Sequence, residues 1–145
     1  MLETGIDLKS TAVIVIDMLR KFLDPDPSIG VHAVPKQQAL QLIKNCKGLI
    51  DTARDKGIPV VFIRLGNVPG LSMNTKRTNP FFEATTGRTP STPDLIFRPD
   101  LSEEGSVYVQ IVPELAPKQG EIVIVKQMYS AFYGTGLDSL LRDLK

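Results

Sequence analysis

The sequence predicts an α/β domain built on a parallel sheet, and three observations lead to this prediction. Three short runs are rich in Val and Ile and lack polar alternation, at 11–17, 58–65 and 121–126. Such runs are typical of strands that are covered on both faces, as strands of parallel sheets are. A helix with one apolar face separates the first two runs, which makes a strand–helix–strand unit with a right-handed crossover.

The first strand, at 11–16, is followed directly by Asp17. Residues 24–35 hold three prolines and a glycine, so we expect a loop there. A helix then begins near Pro35 and stops near Gly57. Its apolar residues recur every three or four positions: Ala39, Leu42, Ile43, Cys46, Leu49, Ile50 and Ala53.

The second half of the chain is less regular between its strands. Residues 66–106 contain five prolines and no long periodic pattern, which indicates a functional loop, short helices or a lid. We expect a short strand or turn at 107–116 and a third strand at 121–126. A turn at 130–136 then leads into a final helix, marked by Leu137, Leu140, Leu141 and Leu144.

Composition excludes several classes of protein. The 145 residues suit one domain, 1–145, and 17 basic against 16 acidic residues give a net charge of +1. That balance gives no broad attraction to nucleic acid or to anionic membranes. No apolar run approaches the ~18 residues of a membrane span, and the start lacks a secretory apolar core. The single cysteine cannot form an internal disulfide, so we expect a cytoplasmic protein.

Two charged residues stand at strand ends, Asp17 and Lys126. In an open parallel α/β sheet, ligands bind beyond the carboxyl ends of the strands, so an acid and a base would share one pocket there and could shuttle protons. A plain salt bridge, or an Asp that caps the next turn, explains the residues equally well. No phosphate-binding G-x-x-x-x-G-K-[ST] and no G-x-G-x-x-G is present, so neither a nucleotide hydrolase nor a dinucleotide site is indicated.

Two blocks of sequence resemble the isochorismatase-like cysteine hydrolases. Residues 12–23, AVIVIDMLRKFL, match an apolar strand, an Asp and a Phe-Leu pair. Residues 115–142 match a strand that ends in Lys, then Ser-Ala-Phe, a Thr and a Leu-rich helix. The resemblance implies a doubly wound, mostly parallel sheet in three α/β/α layers, with strand order 3-2-1-4-5-6, that is incomplete in this chain.

The resemblance also implies site residues. Asp17 would be the general base or acid of a Cys-Asp-Lys triad, and Lys126 would activate the thiol and steady negative charge. Phe22, Tyr129 and Phe132 would line the pocket, although simple packing also explains them. Arg64, at the end of the second strand, could meet a substrate carboxylate, and a solvated surface role is its ordinary alternative.

The chain departs from the family in three respects. The family's nucleophilic Cys follows a fourth strand and has no counterpart here, and Cys46 lies on the apolar face of a helix. The first strand becomes a sheet edge in the family order, so we expect a partner for it. That partner is a second polypeptide, a C-terminal half or a swapped copy of this chain. With His32 as the only histidine, we expect no metal and no cofactor.

Three functions follow as hypotheses. The first is hydrolysis of a small amide- or ureido-type metabolite through the triad, with the Cys outside these residues. The second is vinyl-ether hydrolysis of the isochorismatase type, in which Asp17 donates a proton and no thiol takes part. The third is a non-catalytic fragment that serves in binding or assembly, as a homo-oligomer or with a second polypeptide.

Overall fold

The computed structural model describes residues 5, 7–30, 34–66 and 103–144. Its strands are β1 (Val13–Ile16), β2 (Val60–Leu65) and β3 (Ile122–Lys126), and its α-helices are α1 (Arg20–Leu23), α2 (Lys36–Asp55) and α3 (Leu137–Asp143). Three single turns of 3-10 helix complete the described elements, at Leu8–Ser10, Val107–Val109 and Pro113–Leu115.

The three strands form one parallel sheet in the order β1-β2-β3. Val13 of β1 lies beside Val60 of β2, and Val61 of β2 lies beside Ile122 of β3. The prediction of an α/β fold with a parallel sheet is therefore confirmed. Among the described strands β1 is an edge, as the expected strand order requires.

The main core lies between the sheet and α2. Phe62 and Val15 face the helix from adjacent strands, and Leu115 closes the cluster from its 3-10 turn. The buried residues of α2 are Ala39, Ile43, Ile50 and Ala53. Leu42 and Leu49 of the predicted apolar face are exposed instead. Each of these leucines directly precedes a buried isoleucine and therefore points about 100° away from it around the helix axis. Because the sheet is small, it covers only a narrow stripe of α2 and leaves the leucines outside.

The second face of the sheet packs against α3. Val61 and Ile63 of β2 contact Leu137 and Ala131. Because α3 has only seven residues, it covers β2 and β3 and leaves Ile14 and Ile16 of β1 exposed. On the α2 face, the outer residues Val123 and Val125 of β3 are also exposed. The expectation of burial on both faces was therefore right for β2 and wrong for β1 and β3.

An ion pair ties the end of α2 to the start of β3. The Arg54 guanidinium donates from Nε and Nη2 to the two carboxylate oxygens of Glu121, each at 2.8 Å. The pair is mostly buried, and Nη2 also donates to the carbonyl of Ala116 at 3.3 Å. These hydrogen bonds raise the pKa of Arg54 and lower the pKa of Glu121. This two-point contact holds the start of β3 against the end of α2.

The connections differ from expectation in detail. The short helix α1 begins three residues after Asp17, inside a stretch for which no helix was predicted. The expected strand or turn at 107–116 is two 3-10 turns, with an antiparallel bridge between Leu19 and Ile111. Most of the long segment at 66–106 lies outside the described residues. No helix in the described part of the chain is long and apolar enough to cross a membrane.

Candidate active site

The chain turns sharply at Asp17, where β1 ends. The Asp17 amide still donates to the carbonyl of Ile63 at 2.8 Å, which continues the ladder to β2. Its φ of 52° lies in the left-handed region, which a short polar side chain tolerates better than most. The Leu19 amide then donates back to the Asp17 carbonyl at 2.8 Å. This turn places the carboxylate beyond the end of the sheet.

Lys126 approaches the same point from the far side of β2. It is the last residue of β3, and its carbonyl accepts from the Gly66 amide at 3.0 Å. Its ammonium nitrogen lies 2.7 Å from Oδ2 of Asp17. Since β1 and β3 are not neighbours, this salt bridge passes over the carboxyl end of β2. The structure thus brings together the two residues that the strand ends indicated.

Burial makes this pair unlike a surface salt bridge. The Lys126 side chain is 6% exposed and the Asp17 side chain 29%. Nζ of Lys126 also donates to the carbonyl of Tyr129 at 3.2 Å. Oδ1 of Asp17 is buried, and among the described residues it has no hydrogen-bond partner. A buried acceptor without a donor is rare, and it is the atom that would take a proton or hydrogen bond from a ligand.

Lys21 is a third charged residue at this end of the sheet, and sequence reasoning did not select it. It lies on α1, is 1% exposed, and its ammonium is 5.1 Å from the centre of the Phe22 ring. Burial lowers its pKa to about 8, the Asp17 charge opposes this shift, and the Lys126 charge adds to it. No local pattern in the sequence marks it, because α1 begins only at Arg20 and Asp17 lies in a turn with positive φ, so the two residues are not one helical turn apart.

The other candidate residues lie in different surroundings. Phe22 is half-buried and packs against the α2-side core. Arg64 points its guanidinium at Glu104, with Nη1 donating to Oε2 at 2.7 Å and Nη2 donating to the second oxygen. Those hydrogen bonds lower the pKa of Glu104. Tyr129 and Phe132 are exposed on the loop that follows β3, and the backbone carbonyl of Tyr129 accepts from Lys126.

Cys46 lies on α2 in apolar surroundings. It packs against the α2-side core, and burial raises the pKa of its thiol. A raised pKa leaves less of the reactive thiolate, so this cysteine is suited to packing. In the described ranges, no three His, Cys, Asp or Glu side chains are placed to hold a metal ion. His32 lies outside those ranges.

Comparisons with known proteins agree on one family. The family model described as the isochorismatase domain matches residues 11–145. The chain is 32% identical to the ureidoacrylate amidohydrolase RutB of Caulobacter segnis, in an alignment 145 positions long that covers 94% of this chain and 57% of that protein.

Two solved structures share the fold. A cysteine hydrolase from Pseudomonas syringae pv. phaseolicola aligns with a TM-score of 0.69 at 24% identity, over 96% of this chain and 56% of that one. N-carbamoylsarcosine amidase from Thermoplasma acidophilum aligns with a TM-score of 0.61 at 27% identity, over 91% and 60%. The chain therefore spans between half and two thirds of the length of these proteins.

Proposed function

This chain belongs to the isochorismatase family, and from that premise we propose that the protein hydrolyses a small amide- or ureido-type metabolite through Asp17 and Lys126. One observation carries the proposal. The Lys126 ammonium is 2.7 Å from Asp17 Oδ2, while Asp17 Oδ1 is buried without a hydrogen-bond partner among the described residues. A buried carboxylate oxygen without a donor calls for an explanation, and a ligand that donates a proton or a hydrogen bond to it supplies one. The names of RutB and N-carbamoylsarcosine amidase support amide hydrolysis.

Each residue has a definite task in this reaction. Asp17 Oδ1 accepts the proton of the nucleophile and later returns a proton to the leaving nitrogen. Lys126 keeps the carboxylate in place through Oδ2 and stabilises negative charge that develops beside it. We propose that the nucleophile is a cysteine thiolate outside residues 1–145, which forms a covalent intermediate that water resolves. Cys46 is unsuited to this task because it is packed in the core.

A second candidate function is vinyl-ether hydrolysis of the isochorismatase type. It is favoured by the acid–base pair at a site where the described residues provide no thiol. In that reaction Asp17 is the proton donor, and thiol alkylation leaves the rate unchanged. Treatment of an active sample with iodoacetamide separates the two reactions, since a thiolate nucleophile is blocked by alkylation.

We further propose that another strand pairs with the free edge of β1 in the functional protein. Its residues Ile14 and Ile16 are exposed beside an unoccupied edge of the described sheet. Such an edge favours pairing with another strand. A second copy of this chain or a second polypeptide that completes the sheet would provide one. We propose the cytoplasm as the compartment, because a thiolate nucleophile needs reducing conditions.

The experiment measures ammonia release from ureido and carbamoyl acids by the purified protein. Asp17→Asn and Lys126→Met should each lower kcat/KM by about 100-fold or more. Asp143→Asn and Lys44→Met change exposed residues of the same types on α3 and α2 and should leave activity unchanged. Full activity in Asp17→Asn would contradict the proposal. Absence of hydrolysis by a sample that binds these acids would favour the non-catalytic alternative.

A further inference from the structure

The loop that joins β3 to α3, residues 127–136, provides a hydrogen-bond acceptor for the Lys126 ammonium. Nζ of Lys126 lies 2.7 Å from Oδ2 of Asp17 and donates to the backbone carbonyl of Tyr129 at 3.2 Å. The Asp17 carboxylate is fixed by the end of β1, whereas the Tyr129 carbonyl belongs to a loop outside the sheet. The direction of the ammonium therefore depends on where this loop holds that carbonyl.

Side-chain packing fixes this β3–α3 loop at a single small residue. Tyr129 is 67% exposed, and Phe132 and Tyr133 are exposed as well. Ala131 between them is buried and packs in the cluster on the α3 face of the sheet. A methyl group buries little apolar area, so hydrogen bonds must contribute to the position of the loop.

The hydroxyl of Thr135 makes two such hydrogen bonds. It donates to the backbone carbonyl of Ala131 and accepts from the Leu137 amide at 3.2 Å. Leu137 is the first residue of α3 and is fully buried, so Thr135 connects the loop to a fixed part of the core. Gly134 before it has a φ of 69°, a left-handed conformation that glycine adopts readily and that allows the chain to turn back on itself.

A short turn transmits this attachment to the Tyr129 carbonyl. Only Ser130 separates Tyr129 from Ala131, and its Oγ accepts from the Phe132 amide at 3.2 Å. Two residues of chain span at most about 7 Å, so the position of Ala131 closely restricts the position of Tyr129. Hydrogen bonds therefore lead without a gap from Thr135 through this turn to the Lys126 ammonium.

We propose that Thr135 is a positioning residue of the candidate site, whose hydroxyl keeps the Tyr129 carbonyl in place as an acceptor for Lys126. Without this hydroxyl the carbonyl of Ala131 loses its donor, the loop shifts, and the ammonium turns away from the direction in which it stabilises negative charge. The proposal rests on the proposed role of Lys126, because Thr135 acts through that ammonium and does not touch the substrate.

The structural part is tested by NMR, without any activity. Protein labelled at lysine 13Cε gives a separate signal for each lysine, and Lys126→Met identifies that of Lys126. Thr135→Val, which has nearly the same shape but no hydroxyl, should shift this signal, whereas Thr135→Ser should leave it near its wild-type position. The matched control is Thr52→Val on α2, which removes a hydroxyl that donates to the Gly48 carbonyl at 2.7 Å. It should leave the Lys126 signal unchanged.

A second variant approaches the same loop from the Tyr129 side. Ser130→Ala removes the acceptor of the Phe132 amide and should also shift the Lys126 signal. Circular dichroism checks that each variant is folded, and Ser130→Ala decides the result if Thr135→Val does not fold. A Lys126 signal that is unchanged in a folded Thr135→Val would overturn the proposal, whatever the enzyme assay shows.

The functional part separates positioning from simple stabilisation of the loop. Thr135→Val should lower kcat about tenfold and leave KM within about twofold, the size expected for one lost hydrogen bond to a charged group. Thr135→Ser should restore the rate. In a Lys126→Met background, Thr135→Val should cause no further loss, because the ammonium through which it acts is gone.

Equal losses from Thr135→Val in both backgrounds would overturn the proposal, since they would mean that Thr135 acts independently of Lys126. Full activity in Asp17→Asn would refute the proposed function alone. The NMR comparison would then still decide whether Thr135 positions Lys126.

Discussion

Removal of Asp17 and removal of Lys126 should lower the free energy of unfolding by different amounts. Asp17→Asn keeps the size of the side chain and tolerates the positive φ of 52° at this turn. It removes the charge, however, and leaves the Lys126 ammonium, 6% exposed, with neutral acceptors only, the amide oxygen of the new side chain and the Tyr129 carbonyl. Lys126→Met leaves a carboxylate that is 29% exposed, which water can reach. The methionine also keeps most of the aliphatic packing.

The exposures set the size of this difference. Removal of one partner from a fully buried pair costs about 3–5 kcal/mol, and exposed pairs are worth about 0–1 kcal/mol. Because Asp17 is partly exposed, we expect Asp17→Asn to lower the free energy of unfolding by about 2–3 kcal/mol. Lys126→Met should lower it by only about 1 kcal/mol, because water can hydrate the carboxylate that remains. The double variant should be more stable than Asp17→Asn alone, because it also removes the buried Lys126 charge that Asp17→Asn leaves without a counter-charge.

Urea denaturation followed by circular dichroism measures these costs. With a slope of about 1–3 kcal/mol/M, Asp17→Asn should lower the midpoint by about 1 M or more. Asp143→Asn, at an exposed position of α3, should stay within about 0.5 kcal/mol of wild type. The reasoning is refuted if Asp17→Asn is as stable as this control, or if Lys126→Met is the more damaging of the two single changes.

Three further outcomes are expected. Between pH 8 and 10.5, Lys21 holds its proton in the unfolded chain and has lost it in the folded chain. The free energy of unfolding should therefore rise by up to about 3 kcal/mol across that range. Chemical denaturation of Lys21→Met should show no such rise. Phe62→Ala should cost about 3–5 kcal/mol in thermal unfolding and Val123→Ala much less, because Phe62 is fully buried and Val123 is exposed on the same face of the sheet. Arg54→Lys keeps the charge but loses the two-point contact with Glu121, so calorimetry should show a decrease of about 1–2 kcal/mol in the free energy of unfolding. Lys47→Met, which removes an exposed ion pair on the same helix, should unfold like wild type.

Local patterns in the sequence determined the elements and their chemistry. Runs of Val and Ile predict strands because β-branched side chains suit the pleated backbone, and spacing of three and four predicts the long helix α2. The charged residues at the ends of two of these strands, Asp17 and Lys126, could be identified directly from the sequence, because parallel strands present their carboxyl ends at one edge. The family resemblance, carried by the same segments, was confirmed by the family match over residues 11–145.

Tertiary structure alone decided which of these side chains meet and which faces are covered. Lys21 is followed by Phe22 in an unremarkable stretch, and only the packing of α1 shows that its ammonium is buried at the site. The Arg64 guanidinium donates to Glu104, which lies 40 residues later in the chain. No local sequence pattern predicts this contact. Ile14 has the same sequence character as the buried Val61 beside it, yet it is exposed. Sequence period reports the side of a strand on which a residue lies, whereas burial and charge depend on what folds against that side.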